Sequence, residues 1–339
     1  MNFKDDMPLI SFVIPFYKRY NLVKEALESI ISSGFDDIEI ILVDDASCSE
    51  DSPDEEKSAL NDLLEFTGKY KNIIYVRQEE NRGPGAARNR GILLAKGEWL
   101  FFMDCDDIIY GDALPELADF LESPQQQDAD MVIFNKTMFK YPDGGEKIEI
   151  VFNGDEISAW RDELILEWNH EGRVNRNVWC YCYRKTFLLR HYIKCGETYQ
   201  HDDDYLNFAA ACYAEKISAF PRCFYEYRMN SPLSLTMLGN EADDVRKKIN
   251  GRVSLIKRLA ELCESDIPRD RKARIENLLY RVILYSLYEP ELRKKSAPIL
   301  RALDKLRGNI SRWTDGWQKN IYISPCFLEA AAAAKLINE

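Results

Sequence analysis

Residues 99–114 read WLFFMDCDDIIYGDAL, an apolar run that empties into Asp104, Asp106 and Asp107. A buried strand that ends in clustered carboxylates needs something to offset their repulsion. Oxygen ligands of this kind suit Mg2+ or Mn2+, which take one or two carboxylates together with substrate phosphates. The competing use is helix capping by Asp107 or Asp112, which would account for one aspartate but not for all. A second pair, Asp44 and Asp45, follows the apolar stretch IEIILV. These side chains could accept from a base imide N–H or ribose hydroxyls, or form an Asx-turn before Ser47. In NRGPGAARNRG (81–91) the small residues permit close backbone approach. Arg88 there could grip a phosphate or carboxylate, or pair with acidic residues of the same cleft.

Ordered elements are needed to bring these groups together. LISFVIPFY (9–17), IEIILV (38–43), IIYVR (73–77) and the run from Trp99 read as strands. NLVKEALESIISS (21–33) has helical spacing, with Asn21 as N-cap and Gly34 as stop. Helices are also expected from the acidic stretch at 49–58 to about Tyr70, after the glycine-rich turn at 81–85, and over 113–123. This alternation predicts a mostly parallel α/β sheet with helices on both faces. Ligands of such sheets bind beyond the carboxyl ends of the strands, where Asp44, Asp45, Asp104 and Asp106 would sit. Farther on, ADMVIFN (129–135) continues the strand pattern and residues 139–152 read as a hairpin turning at Asp-Gly-Gly. From about residue 241 the pattern is helical.

Composition narrows the function classes. At 339 residues with 46% hydrophobic and 12% aromatic residues, the chain can bury a large core. A net charge of -12 argues against a nucleic-acid footprint. Nine cysteines at irregular spacing fit free thiols in a reducing cytoplasm, and no apolar run is long enough to span a membrane. Cys180, Cys182, His191 and Cys195 match no common zinc spacing. Basic clusters at 246–248, 270–274 and 293–295 could touch anionic lipid at the inner face of the cell membrane, against an ordinary solvated helix face. The same helical region could instead form a homodimer.

Four stretches in order, SFVIPFYKRYNLVKEALESI, IEIILVDDAS, NRGPGAARNRGILLAKGEWLFFMDCDD and LPELADFL, resemble the inverting family 2 glycosyltransferases of bacterial glycan biosynthesis. The resemblance covers residues 8–135 and implies the GT-A fold, with a nucleotide-sugar donor and Mn2+ or Mg2+. Lys18 stands where that family usually has Asn, and Ala46 where Gly is usual. By this resemblance Pro15 and Tyr17 flank the base, and Asp44 or Asp45 binds uracil or ribose. Arg88 helps hold the nucleotide. Asp104 lies near ribose and metal, Asp106 ligates the metal, and Asp107 faces the sugar or caps a helix. A UDP-sugar is favoured by family frequency alone.

Residues 198–236 resemble the family's acidic segment, in which an acidic pair opens a helix before a Lys-Ile strand and a Tyr-x-Tyr-Arg element. Counting back from Lys216-Ile217 places Asp203 on the catalytic base and Asp202 on its acidic neighbour, while a one-residue shift would give the role to Asp202 or Asp204. Three aspartates at a helix start also suit the helix dipole. NVWCYCYRKTFL (177–188) resembles the acceptor segment, where Trp179 would stack on a sugar or else pack in the core. The expected organisation is a domain over 1–240, with a donor half at 8–135 and an acceptor half at 136–240, then a helical region at 241–339. The expected reaction moves a sugar onto a hydroxyl of a glycan or lipid-linked saccharide. A sugar-phosphate nucleotidyltransferase and a non-catalytic sugar-nucleotide-binding subunit are the alternatives. The first would favour a glycine-rich basic loop after the first strand, where PFYKRYN stands.

Overall fold

A computed structural model describes residues 7–140, 144–150, 177–199, 201–229 and 242–269, with scattered positions to 282. The expected boundary near residue 240, the basic cluster at 293–295 and the last helices lie outside these residues. Strands β1 (Ile10–Phe16), β2 (Ile38–Asp44), β3 (Ile73–Arg77) and β4 (Trp99–Phe102) form a parallel set in the order β3-β2-β1-β4. Every residue of β1, β2 and β4 is buried, which is why they read as continuous apolar runs rather than alternating ones.

Helices α1 (Tyr20–Ile31), α2 (Asp54–Thr67), α3 (Pro84–Leu94) and α4 (Leu114–Glu122) connect and follow these strands. Helix α1 starts before Asn21: the Val23 amide bonds the Arg19 carbonyl, so Arg19 takes the cap position without a side-chain cap. Gly34, with φ 65°, follows the helix in the left-handed conformation expected of a stop. Neither Asp107 nor Asp112 caps α4; Asp112 pairs with Arg222 at 3.2 Å.

The second half makes the sheet mixed. β5 (Ile108–Ile109), β6 (Met131–Lys140), β7 (Glu146–Ile150), β8 (Tyr181–Arg184) and β9 (Ile217–Arg228) extend it as β4-β8-β6-β9-β5, with β7 beside β6. β8 runs antiparallel to β4 and β6, while β9 runs parallel to β6. The β6–β7 hairpin occurs where expected. Short α5 (Lys185–Arg190) and α6 (Asp202–Tyr213) flank β8 and β9 in sequence, and α7 (Ala242–Glu264) lies against α6. Leu255, Ile256, Leu259 and Cys263 of α7 join the same core as the sheet. Arg258 ties α7 to the Cys195 carbonyl at 2.6 Å and covers the Tyr205 ring of α6.

Candidate active site

The parallel register determines where the carboxylates emerge. Phe16 lies opposite Asp44, and Val13 opposite Phe102, so β1, β2 and β4 finish at one edge. Tyr17 follows Pro15 and Phe16 there and is 44% exposed.

Asp44 and Asp45 are buried and engaged by their own loops. Asp44 accepts from the Ser47 amide at 2.8 Å and the Tyr75 hydroxyl at 2.7 Å. Asp45 accepts from Gln78 and from the amides of Arg82 and Gly83, at 2.9 and 2.7 Å, which shapes the entry to α3. Burial holds the Asp45 carboxyl above its ordinary pKa against those bonds.

Helix α3 then makes an unusually close approach to α6. A methyl at Gly85 would run into the Gly196 carbonyl and lie 2.7 Å from Asp202 Cβ. With only hydrogen at that Cα, Arg88 one turn on reaches two carboxylates. Its guanidinium donates to Asp202 at the start of α6 and to Asp104 at the end of β4. Burial works against the Arg88 charge, and Asp202 and Asp104 outweigh it, so its pKa lies well above the ordinary value. Arg88 therefore joins the end of β4 to the acidic helix.

The three aspartates after β4 part company. Asp104 remains partly open, with its side chain 31% exposed. Asp106 accepts from Arg19 Nη1 at 2.7 Å. Asp107 turns inward, accepting from the Tyr225 hydroxyl at 2.6 Å and the Arg228 amide at 2.9 Å. Burial, then Asp104 and Asp106, push the Asp107 carboxyl well above its ordinary pKa. Asp107 thus ties this turn to β9.

On α6, Asp203 is partly exposed and accepts from the Val178 amide at 3.2 Å. Burial and the charges of Asp202 and Asp204 raise its pKa well above the usual carboxylate range. Burial also raises that of Asp202, which Arg88 opposes. Asp204 pairs with His201 Nδ1 at 2.7 Å. Trp179 sits in the core, 1% exposed, with its ring stacked on Tyr225 and Tyr227 at 4.6 and 5.3 Å. In this arrangement it packs the floor of the site and presents no open face to a sugar.

Asp104 and Asp106 are hard oxygen donors at one strand end. Among the described residues no cluster of three or more metal-type ligands occurs. This donor set fits a Mg2+ or Mn2+ ion that takes its remaining ligands from phosphates and water.

Residues 11–178 match the sequence profile of Glycosyl transferase family 2. Residues 11–178 therefore form a domain of that family. EpsH of Bacillus subtilis, a relative assigned as a glycosyltransferase, is 28% identical over 231 residues. That match takes in 66% of this chain, which spans 62% of the length of EpsH. Among solved structures, S. aureus TarS 1–349 in complex with UDP-GlcNAc superposes with a TM-score of 0.61 at 20% identity, over 87% of this chain and 79% of TarS 1–349. A mannosyltransferase from Pyrobaculum calidifontis, in complex with GDP-Man and Mn2+, gives 0.50 at 17% identity, over 98% of this chain and 81% of that one. These likenesses establish the GT-A fold.

Two contacts had little signature in the sequence. Arg19 beside Asp106 could have been sought as a cation next to a strand end. Tyr225 beneath Asp107 lies 118 residues away and has no such signal.

Proposed function

We propose that this chain transfers a sugar from a nucleoside diphosphate donor to a hydroxyl of a glycan or lipid-linked saccharide, with inversion at the anomeric carbon. The observation that carries the reading is the Arg88 bridge, which sets the carboxylates at the end of β4 against the acidic start of α6. The nucleoside lies along Pro15 and Tyr17, and the Asp44–Asp45 turn lines the base and ribose. Carboxylate oxygens have lone pairs beyond those engaged by protein donors. UDP is the favoured nucleotide, supported by the UDP-GlcNAc complex of the TarS neighbour.

Asp203 is the base. Its raised pKa makes the ionised carboxylate a stronger proton acceptor than an ordinary one, and the Val178 amide orients it. It takes the acceptor proton as the acceptor oxygen attacks the anomeric carbon. The bond from that carbon to the diphosphate breaks, and the nucleoside diphosphate leaves. Asp106 and Asp104 would hold the metal, which when bound offsets negative charge on the leaving diphosphate. Arg88 keeps the donor strand and the base helix in register.

Transfer from radiolabelled nucleotide sugars tests the reading. Asp203→Asn should bind donor and lose transfer by about a hundredfold or more. Pyrophosphate release from a nucleoside triphosphate would instead support a nucleotidyltransferase. Normal transfer by Asp203→Asn would remove the base assignment.

A further inference from the structure

The β1–α1 turn contains a device that neither the family motifs nor the proposed mechanism uses. Lys18 and Arg19 occupy successive left-handed positions, φ 64° and 32°, where non-glycine residues are strained. Two contacts hold the turn there. The Lys18 amide donates to Ser47 Oγ at 2.8 Å, and Lys18 Nζ pairs with Glu56 at 2.9 Å. Phe16 and Tyr20 meet edge-on across the turn. The consequence is specific: Arg19 points into the cleft and its Nη1 lies 2.7 Å from Asp106 Oδ2, with both side chains 12% exposed.

This ion pair occupies one oxygen of a carboxylate that the proposed donor site uses as a metal ligand. A guanidinium and a divalent cation cannot both lie against Asp106 Oδ2 without strong repulsion. If the cation displaces Arg19, its charge is released beside an incoming diphosphate, for which a planar guanidinium is a well-matched partner. The fixed turn keeps the side chain within reach, so the exchange needs rotation about side-chain bonds rather than refolding.

We propose that Arg19 is an exchangeable counter-ion: it holds Asp106 in the unloaded cleft and moves to the donor diphosphate when the metal enters. The unloaded cleft is thereby protected from metal alone, and metal binding becomes coupled to nucleotide binding. The inference rests on Asp106 as a metal ligand, the reading given above.

The test measures binding rather than turnover. Mn2+ alone is titrated by electron paramagnetic resonance into the wild type, Arg19→Ala, Arg19→Lys and Asp106→Asn chains. The nucleoside diphosphate that best stabilises the wild type, among UDP, GDP, CDP and dTDP, is then titrated calorimetrically in saturating Mn2+. Arg19→Ala should bind Mn2+ alone about five- to tenfold more tightly, because the competing state has been removed. It should bind the nucleotide about tenfold more weakly, because the phosphate partner is lost. Arg19→Lys should fall between the wild type and Arg19→Ala in both. If Arg19→Ala moves both constants in the same direction, or neither, while Asp106→Asn loses Mn2+, the exchange is refuted and the metal assignment stands. If Asp106→Asn binds Mn2+ as the wild type does, the metal assignment fails and the exchange fails with it.

Discussion

At the N-terminal edge of the parallel strands, the buried Glu39 carboxylate accepts from Ser11 Oγ at 2.6 Å and from the amides of Lys96 and Gly97. At the opposite edge, Asp104 and Asp202 share Arg88, and Asp106 faces Arg19. The first carboxylate is held by neutral donors built into the fold; the others are balanced by side-chain charges. Asp44, Asp45 and Asp107 lie near the second edge but are held mainly as Glu39 is, by amides and hydroxyls. Burial of a carboxylate does not by itself mark a site. The kind of donor that meets it separates groups that hold a turn from groups whose charge is balanced by a side-chain cation.

The sharpest way to break this distinction is at Arg88. Arg88→Ala leaves Asp202 buried and two nearby carboxylates without their shared cation. We expect a loss of about 3–5 kcal/mol of stability, the range for removing one partner of a buried pair. Urea denaturation measures it, and donor binding should fall as well. A loss below about 1 kcal/mol would mean that the bridge is not what holds β4 to α6.

Glu39→Gln and Asp106→Asn sharpen the comparison from its two ends. Glu39→Gln replaces an anionic acceptor of several buried bonds and should cost about 1–3 kcal/mol, with nucleotide affinity unchanged. Asp106→Asn keeps an oxygen acceptor for Arg19 and should cost about 1–3 kcal/mol as well, but unlike Glu39→Gln it should lose Mn2+-dependent nucleotide binding. Denaturation midpoints and calorimetry read both variants. Equal nucleotide losses in the two would show that the two ends of the sheet are not functionally distinct.

Periodicity and motif order made the parallel half of the sheet legible. β1, β2, β4 and α3 appear where apolar runs and the glycine-rich turn place them, because each is defined by a few adjacent residues. The partition of the aspartates was not legible. Asp104, Asp106 and Asp107 are alike in sequence, and their difference is set by Arg88, Arg19 and Tyr225, which approach from three separate elements. Trp179 shows the same limit: its aromatic character suited a sugar platform or a core, and stacking on Tyr225 and Tyr227 puts it in the core. The mixed half of the sheet depends on pairings such as β4 with β8, more than eighty residues apart in the chain, which short-range patterns do not encode.

The acidic start of α6 adds a pH dependence to the comparison. Burial and like charges raise the pKa of Asp203, so the folded chain holds that proton at pH values where the unfolded chain has lost it. Its contribution to stability is therefore present below the ordinary carboxylate pKa and is lost as pH rises through the raised value. Activity should follow the opposite sign, since the proposed base must be ionised. The acid limb of kcat/KM should lie above the ordinary carboxylate value and belong to the Asp202–Asp204 cluster as a whole. Asp204→Asn removes one like charge and should move that limb to lower pH. A shift to higher pH would mean that Asp204 acts on the base chiefly through His201.

The smallest expected effect is at Ala46, beside the Asp44–Asp45 turn. Ala46 has φ 60°, a left-handed backbone that a Cβ disfavours by about 1–2 kcal/mol. Glycine removes that strain but adds about 0.5–1 kcal/mol of chain entropy in the unfolded state. The balance predicts that Ala46→Gly stabilises by up to about 1 kcal/mol, seen as a modest rise in the denaturation midpoint. The bonds that hold this turn, from the Ser47 amide to Asp44 and from Gly83 to Asp45, do not involve the Ala46 side chain. Donor affinity should therefore stay within a factor of about two. A stabilised variant that binds donor much more weakly would show that the strained turn shapes the nucleotide site. Asp44 and Asp45 would then belong with the arginine-balanced carboxylates of the cleft rather than with Glu39.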